Sequence, residues 1–494
     1  MKLSTRVIAA SALAAVASLG VTAGSASALT TTQKKAIQKV GYDAYLYGYA
    51  PVYMNTSIAR FPTNALINVR YLATDQTRAI VKPNADTLYT IAVLDVGTEP
   101  VIVKTPATGS RYFGLELLDS YTNVFGYIGS RATGTSGGYY AIVGPNWTSA
   151  KAPLKRSVSK IIRSSTAKLW VIGRTLIDGS SDLPAVQALQ DGISAQRNSK
   201  VGTSENLLCV NSIQPGQTPA AGCAGLPAAS TSTPPAFPSP NAAFFKDLGT
   251  IMKAQVAPAK QDKTILASMK KYGIGADRDP SKTQSASVLA ELVKGAVSAD
   301  AAIDAGLVNA RNKSASKNNG WILFDKIGVY GKDYLTRAII AKFGLGANLP
   351  AEAVYPAALT DYSGNTLNGA SGAVYRVRFP SGQLPPTTSA FWSLTLYAED
   401  QFFISNPLNR FAIGDRPFPA GGSATANLSR GCGPSGATDI YVSATQPSSA
   451  LAGGCAGNWL PAPAEQFNLM LRIYRPTSAV VNGTWKYPQI IKVG

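Results

Sequence analysis

Strand-like alternation of apolar and polar positions occupies both ends of this chain, and helical spacing occupies its middle. Short β-branched and aromatic runs, separated by Gly and Pro, predict strands over 90–95, 101–105, 112–118, 124–128, 139–143 and 169–172. From residue 355 the pattern returns, over 374–379, 391–397, 402–404, 439–443 and 467–474. In Tyr375-Arg-Val-Arg-Phe379 the alternation sets apolar and basic side chains on opposite faces. A helix is expected over 30–50, capped by Thr31 or Thr32 and ended or bent by Pro51. Helical spacing then appears in Leu183, Val186, Leu189 and Ile193, and over 244–256, 264–272, 285–297, 299–312 and 332–343.

The two β regions also share their wording. Val101-Ile-Val-Lys104, Tyr112-Phe-Gly-Leu-Glu-Leu117, Ile128-Gly-Ser-Arg131, Asn146-Trp147 and Leu169-Trp-Val-Ile-Gly-Arg174 form the first copy. Val374-Tyr-Arg-Val-Arg378, Phe391-Trp-Ser-Leu-Thr-Leu396, Ile413-Gly-Asp-Arg416, Asn458-Trp459 and Leu469-Met-Leu-Arg-Ile-Tyr-Arg475 repeat it in order. One β module built twice is the reading this supports. The expected fold class is mainly β with α insertions, as two jelly-roll or β-sandwich modules flanking a helical middle. The expected division is a signal peptide over 1–28, then an N-terminal helix with the first module over 29–180. A helical middle follows over 181–350, with a Pro/Ser-rich connector at 210–240, and the second module covers 351–494.

Composition narrows the setting. Lys2 and Arg6, an apolar small-residue run and Ser25-Ala-Ser-Ala28 read as a secretory signal peptide. That run is too short and too interrupted for a membrane span, so the mature protein is expected to be secreted, whether extracellular or in the periplasm or cell envelope. In that setting Cys209 with Cys223 and Cys432 with Cys455 are expected to close two local disulfides. With no Cys-x-x-Cys and no histidine anywhere, a cysteine zinc site has little support, and His-ligated zinc or iron, Ser-His-Asp triads and Cys-His pairs are excluded. Lys and Arg number 46 against 27 Asp and Glu, for a net charge of +19. The excess reads as a solvated basic surface, or as affinity for an anionic cell-wall polymer or phosphorylated small molecule. No nucleic-acid-binding pattern accompanies it.

Asn84-Ala-Asp-Thr-Leu-Tyr89, Asp119-Ser-Tyr-Thr-Asn123, Gly126-Tyr-Ile-Gly-Ser-Arg131 and Gly144-Pro-Asn-Trp147 resemble the first half of a bacterial family of exported or envelope proteins built from two tandem domains of unknown function. Phe391-Trp-Ser-Leu-Thr-Leu-Tyr397, Asn406-Pro-Leu-Asn-Arg-Phe-Ala-Ile-Gly-Asp-Arg416 and Asn458-Trp-Leu-Pro-Ala-Pro463 resemble its second half. The resemblance implies a double jelly roll with helical insertions and, by analogy, a homo-oligomer such as a trimer. It implies no activity.

Candidate chemistry lies in the polar residues of those motifs. Asp86 and Asp119, with Tyr121, would suffice for acid/base hydrolysis, or with Asn123 for an oxygen-ligated calcium or magnesium ion. The competing reading is that Asn and Asp beside Gly and Pro form turns. Arg131 and Arg416 read either as guanidinium forks on backbone carbonyls or as clamps on an anion, together with Asn84, Asn409 and Arg410. Three functions follow from this reading. They are a ligand-binding or assembly protein, a histidine-free hydrolase of phosphorylated or glycosidic substrates, and a structural envelope oligomer.

Overall fold

A computed structural model of the chain describes residues 28–78, 81–204, 207–211, 235–255, 260–315, 318–324, 326–416 and 428–494. The expected leader, most of the 210–240 connector and the Cys209–Cys223 pairing lie outside the described residues.

The first module contains β1 (Ala65–Val69), β2 (Thr87–Asp95), β3 (Val101–Thr105), β4 (Phe113–Asp119), β5 (Val124–Gly129), β6 (Gly138–Val143), β7 (Lys160–Arg163), β8 (Lys168–Leu176), β9 (Ser194–Arg197) and β10 (Leu208–Asn211). They form a sheet in the order β10-β1-β2-β8-β4-β5 and a second in the order β7-β6-β3-β9. Inward residues of both, among them Val101, Val103, Leu115, Leu117, Ile142 and Val171, share one apolar layer, which makes the module a sandwich.

The second module contains β11 (Ala353–Val354), β12 (Ala357–Ala358), β13 (Tyr375–Phe379), β14 (Trp392–Ala398), β15 (Ala412–Gly414), β16 (Thr438–Ser443), β17 (Trp459–Pro461), β18 (Phe467–Tyr474) and β19 (Gln489–Lys492). Its sheets run β11-β18-β14-β15 and β17-β16-β13-β19, around Val377, Leu394, Leu396, Ile440 and Leu471. The neighbours β8-β4-β5 thus recur as β18-β14-β15, and β6-β3 as β16-β13. The chain is mainly β with α-helical insertions.

The repeated Gly of the two Ile-Gly-x-Arg corners has a steric cause. A Cβ on Gly129 would lie 2.3 Å from the Phe113 carbonyl oxygen, and one on Gly414 would lie 2.3 Å from that of Trp392. Strand approach therefore forbids a side chain at both corners. The Asn-Trp match does not survive. Asn146 is exposed in a turn after β6, whereas Asn458 is buried and Trp459 opens β17.

The first module also runs further than 180. Helix α2 (Leu183–Asp191) is an insertion, and Ile193 and Ala195 return inward as β9 pairs with β3. Helices α1 (Thr31–Ile58), α3 (Ala242–Ala254), α4 (Lys263–Lys271), α5 (Pro280–Thr283), α6 (Ala286–Ala315) and α7 (Tyr334–Gly344) supply the helical layer. That layer covers the outer face of the six-stranded sheet through Ile91, Val93, Trp170 and Ile172.

Thr30, rather than Thr31 or Thr32, caps α1, in a capping box with Gln33. The helix continues through Pro51 because the hydrogen bond that residue cannot make is supplied from elsewhere. Proline cannot donate to the Tyr47 carbonyl, so the Arg337 Nη2 donates to it instead, at 2.5 Å. Asn55 Nδ2 caps the Pro51 carbonyl at 2.7 Å. The break expected near 298 is likewise absent, and α6 is continuous.

Helices α1 and α6 meet through reciprocal glycines. A Cβ on Gly41 would lie 2.0 Å from the Leu292 carbonyl oxygen, and one on Gly295 would lie 2.0 Å from that of Gln38. Gly41→Ala should therefore lower stability by about 1–3 kcal/mol through forced separation, although alanine is the better helix former. Thermal denaturation followed by circular dichroism checks this, with exposed Gly457→Ala, where a Cβ would meet nothing, as the control.

Candidate functional site

The outer face of the sheet containing β14 and β18 turns toward the first module. Thr395, Tyr397, Met470, Arg472 and Tyr474 point that way, because Leu394, Leu396, Leu469, Leu471 and Ile473 alternate with them into the core. The segment that precedes β2 crosses this face. Its carbonyls are gripped by Arg472, whose Nη2 donates to Lys82 at 2.9 Å and to Pro83 at 3.2 Å. The same guanidinium donates from Nη1 to Thr395 Oγ1 at 2.6 Å and from Nη2 to the Tyr397 hydroxyl. Tyr397 in turn donates to the Pro83 carbonyl at 2.5 Å.

Further along the segment, Asn84 Nδ2 donates to Tyr474 Oη at 2.8 Å and its backbone N–H donates to Tyr89 Oη at 2.9 Å. Ser393 donates to Asp86 Oδ2 at 2.6 Å. Burial raises the pKa of Asp86 above the ordinary carboxylate range, against the opposing pull of Ser393, Arg472 and Arg416.

Between this seam and the helical layer lies a cavity of about 100 Å³. Lys82, Asn84, Tyr89, Arg174, Tyr355, Arg472 and Tyr474 form its polar side, and Ile172, Ile327, Ile340, Phe343, Leu345 and Met470 its apolar side. The equivalent strands β8 and β18 both contribute, so the cavity sits where the two copies of one element come together. With Leu169 matched to Leu469, Ile172 corresponds to Arg472 and Arg174 to Tyr474.

The three cations are not equivalent. Arg174 donates from Nη1 to Glu116 Oε2 at 2.9 Å and from Nη2 to the Gly346 carbonyl at 2.7 Å, so its charge is answered. Burial pushes the Glu116 carboxyl up to about 7 despite that pairing. Among the described residues no carboxylate forms an ion pair with Lys82 or Arg472. Among the described residues the Lys82 ammonium makes no hydrogen bond, and burial, followed by the Arg472 charge, holds its pKa down to about 8. Lys82 is also in left-handed backbone, at φ 53°, a conformation that costs a non-glycine residue on the order of 1 kcal/mol or more. Arg472 and the Gln401 carbonyl, which accepts the Lys82 N–H at 2.8 Å, hold it there.

Of the residues singled out from the sequence, Asn84 lines the cavity and Asp86 supports the segment behind it. Asp119 lies elsewhere. Asp86 stands opposite Ile177 and Asp119 opposite Leu169 along β8, which separates them by roughly 26 Å at about 3.3 Å per residue. Asp119 organises a turn, accepting from the backbone of Tyr121 and Asn123, from Asn123 Nδ2 and from Ser165. Tyr121 donates to the Gln255 carbonyl at 3.1 Å and packs by the Tyr47 ring. Arg131 pairs with buried Glu352. Arg416 reaches the Ala390 carbonyl at 3.1 Å, beside Asp415. Asn409 sits in a turn at φ 47°, and Arg410 donates to the Trp459 carbonyl at 2.7 Å. Among the described residues, no group of three Asp, Glu or Cys is arranged to hold a metal ion. Cys432 and Cys455 are disulfide-bonded, pinning the loop before β17.

Sequence reading passed over Lys82, Arg174 and Arg472. The signal was present as a lone Arg in each of two otherwise apolar strands, Leu169-Trp-Val-Ile-Gly-Arg174 and Leu469-Met-Leu-Arg472. A charge inside a strand buried on both faces must meet a partner or a cavity.

Residues 63–197 match the family described as "Protein of unknown function (DUF1254)", and residues 352–478 match "Protein of unknown function (DUF1214)". The chain therefore carries two domains of unknown function in tandem. The crystal structure of the VPA0106 protein from Vibrio parahaemolyticus is similar in fold, at 22% identity and a TM-score of 0.62, over 93% of this chain and 100% of that one. A crystal structure of an uncharacterized protein from Burkholderia cenocepacia covers 93% of this chain and 94% of its own, at 11% identity and a TM-score of 0.41. No curated protein matches the chain.

The unanswered charge of Lys82 has a thermodynamic signature. Its folded pKa of about 8 lies below the ordinary 10.5, so between those values the unfolded chain binds more protons. Stability from this group therefore rises with pH through that window and is weakest below it. Lys82→Met should stabilise the ligand-free protein at pH 7 by on the order of 1–3 kcal/mol, with the gain shrinking toward pH 10. Arg174→Met should do the opposite, costing about 3–5 kcal/mol by stranding Glu116. Urea denaturation of the three proteins at pH 7 and 9.5 measures both.

Proposed function

We propose that this protein binds a small amphipathic anion, a carboxylate or phosphate head on an apolar body, in the cavity between its two β modules. The observation that carries this reading is the pair Lys82 and Arg472 on the cavity wall: among the described residues neither forms an ion pair, and the carboxylate whose charge acts on Arg472, Asp86, is itself held by Ser393. Other arginines of the fold are paired, as with Arg174 and Glu116 or Arg131 and Glu352, whereas buried Arg337 is held by the Tyr47 carbonyl and lines no part of this cavity. An oxyanion would complete the arrangement, since charge-assisted hydrogen bonds in a water-poor site are roughly twice as strong as neutral ones. Apolar side chains opposite the cations suit the remainder of such a molecule.

An exported setting accords with this role. The leader expected from Lys2 to Ala28 would deliver the chain to an oxidising compartment, and the Cys432–Cys455 disulfide is compatible with that destination. Among the described residues no helix is long and apolar enough to cross a membrane. Hydrolysis by Asp86 with Asp119 lacks comparable support, because the two carboxylates do not reach a common atom.

Titration calorimetry with isocaproate and hexyl phosphate tests the reading. Binding should be strongest below pH 8 and weaken as pH rises through about 8, because the Lys82 ammonium is lost in that direction. Lys82→Met should weaken it by about 10–100-fold, the value of a hydrogen bond to a charged group. If neither anion binds at millimolar concentration at pH 7, the proposal fails.

A further inference from the structure

Lys82 has the surroundings of an amine placed to react as well as to attract. It lines the cavity, its side chain makes no hydrogen bond or ion pair among the described residues, and it projects from backbone held in the left-handed region by Arg472 and Gln401. Nothing in such an arrangement serves packing, and backbone strain of this kind concentrates where a side chain must be aimed. Two further groups stand beside it on the cavity wall. Among the described residues Arg472 makes no hydrogen bond through Nε, which leaves a donor for an oxyanion. Tyr89 accepts the Asn84 N–H and keeps its own hydroxyl proton to donate.

We propose that Lys82 forms a reversible imine with the carbonyl of an α-keto acid bound in this cavity, the carboxylate of that acid resting on Arg472. The proposal rests on the anion-binding reading and narrows its ligand class. An α-keto acid carries the oxyanion one bond from an electrophilic carbon, which suits an amine and a guanidinium that share a wall. An apolar side chain on the acid would lie toward Ile172, Ile340 and Met470.

In the reaction the neutral amine attacks the carbonyl carbon, forming the C–N bond. The carbonyl oxygen takes up a proton, with the Tyr89 hydroxyl as donor, and the resulting carbinolamine loses that oxygen as water. The proton that the ammonium releases to become the attacking amine returns, through solvent and the Tyr89 hydroxyl, to the departing oxygen, so overall the ammonium and the ketone give a protonated imine and one water, with no oxidant, reductant or net proton needed. Burial and the Arg472 charge lower the pKa of Lys82 to about 8, which supplies the neutral amine near neutrality. Arg472, Arg174, Asp86, Glu116, Tyr89, Tyr355, Tyr397 and Tyr474 are the charged and titratable groups around it.

The test uses the whole mature chain with α-ketoisocaproate, and with isocaproate, which lacks the carbonyl. Sodium cyanoborohydride reduces an imine to a stable secondary amine. Mass spectrometry should then find one adduct, of the ligand's mass less one oxygen, on the peptide carrying Lys82 and not across the surface lysines. Lys82→Arg, checked for fold by circular dichroism, should lose the adduct. If calorimetry shows both acids bound but no adduct forms on Lys82, the imine is overturned and anion binding stands. If neither acid binds, both readings fall together.

Discussion

The Arg472 guanidinium is buried at the seam between two β modules, and a charge in that position must be solvated by the protein itself. Four acceptors do so, the carbonyls of Lys82 and Pro83 and the hydroxyls of Thr395 and Tyr397. Two come from the first module and two from the second. Satisfying one cation therefore docks the modules and fixes the path of the segment entering β2. Lys82, Asn84 and Asp86 inherit their positions from that path, which is why a polar cluster far apart in sequence converges on one cavity. Beside it Tyr112 of the first module packs edge-on against Phe391 and Tyr474 of the second, at 5.8 and 5.1 Å between ring centroids, and closes the seam.

The architecture was legible because it repeats a two-residue period. Val101–Thr105 is a β-branched run and Tyr375–Phe379 alternates buried with half-buried positions, and both fall where the pattern put them. Helices of the middle were legible for the same kind of reason, in a period of 3.6. Failures came where tertiary contacts overrode a local rule. Pro51 should end a helix, yet Arg337, distant in sequence, supplies the donor that proline lacks. Gly192 ends α2, but it was the pairing of β9 with β3 that kept Ile193 and Ala195 in the first module. The Asn-Trp repeat was a coincidence of letters, since one copy lies in an exposed turn and the other in a buried strand.

The site was much less legible. Asn84 and Asp86 were found as motif residues, but motif polarity mostly marks turns, as Asp119, Asn123 and Asn409 show. Lys82 has no local signature, because its meaning depends on which carboxylates fail to reach it. That is a statement about absent neighbours. Sequence can suggest it only through the apolar context of Arg174 and Arg472, where a charge has no local means of solvation.

The matching strand orders β8-β4-β5 and β18-β14-β15 are why the asymmetry matters. When two copies of one strand face each other, identical residues would give a symmetric lining, and a symmetric pair of arginines would repel across a cavity of this size. At the two corresponding positions the copies instead differ, Ile172 against Arg472 and Arg174 against Tyr474. One arginine is neutralised within its own module by Glu116, so its field is largely spent on the fold. The other is held by neutral oxygens and forms no ion pair among the described residues, with the Asp86 carboxylate acting on it only through space. Added to Lys82, this leaves net positive potential on one wall and hydrocarbon on the other, from two strands that began as the same sequence pattern.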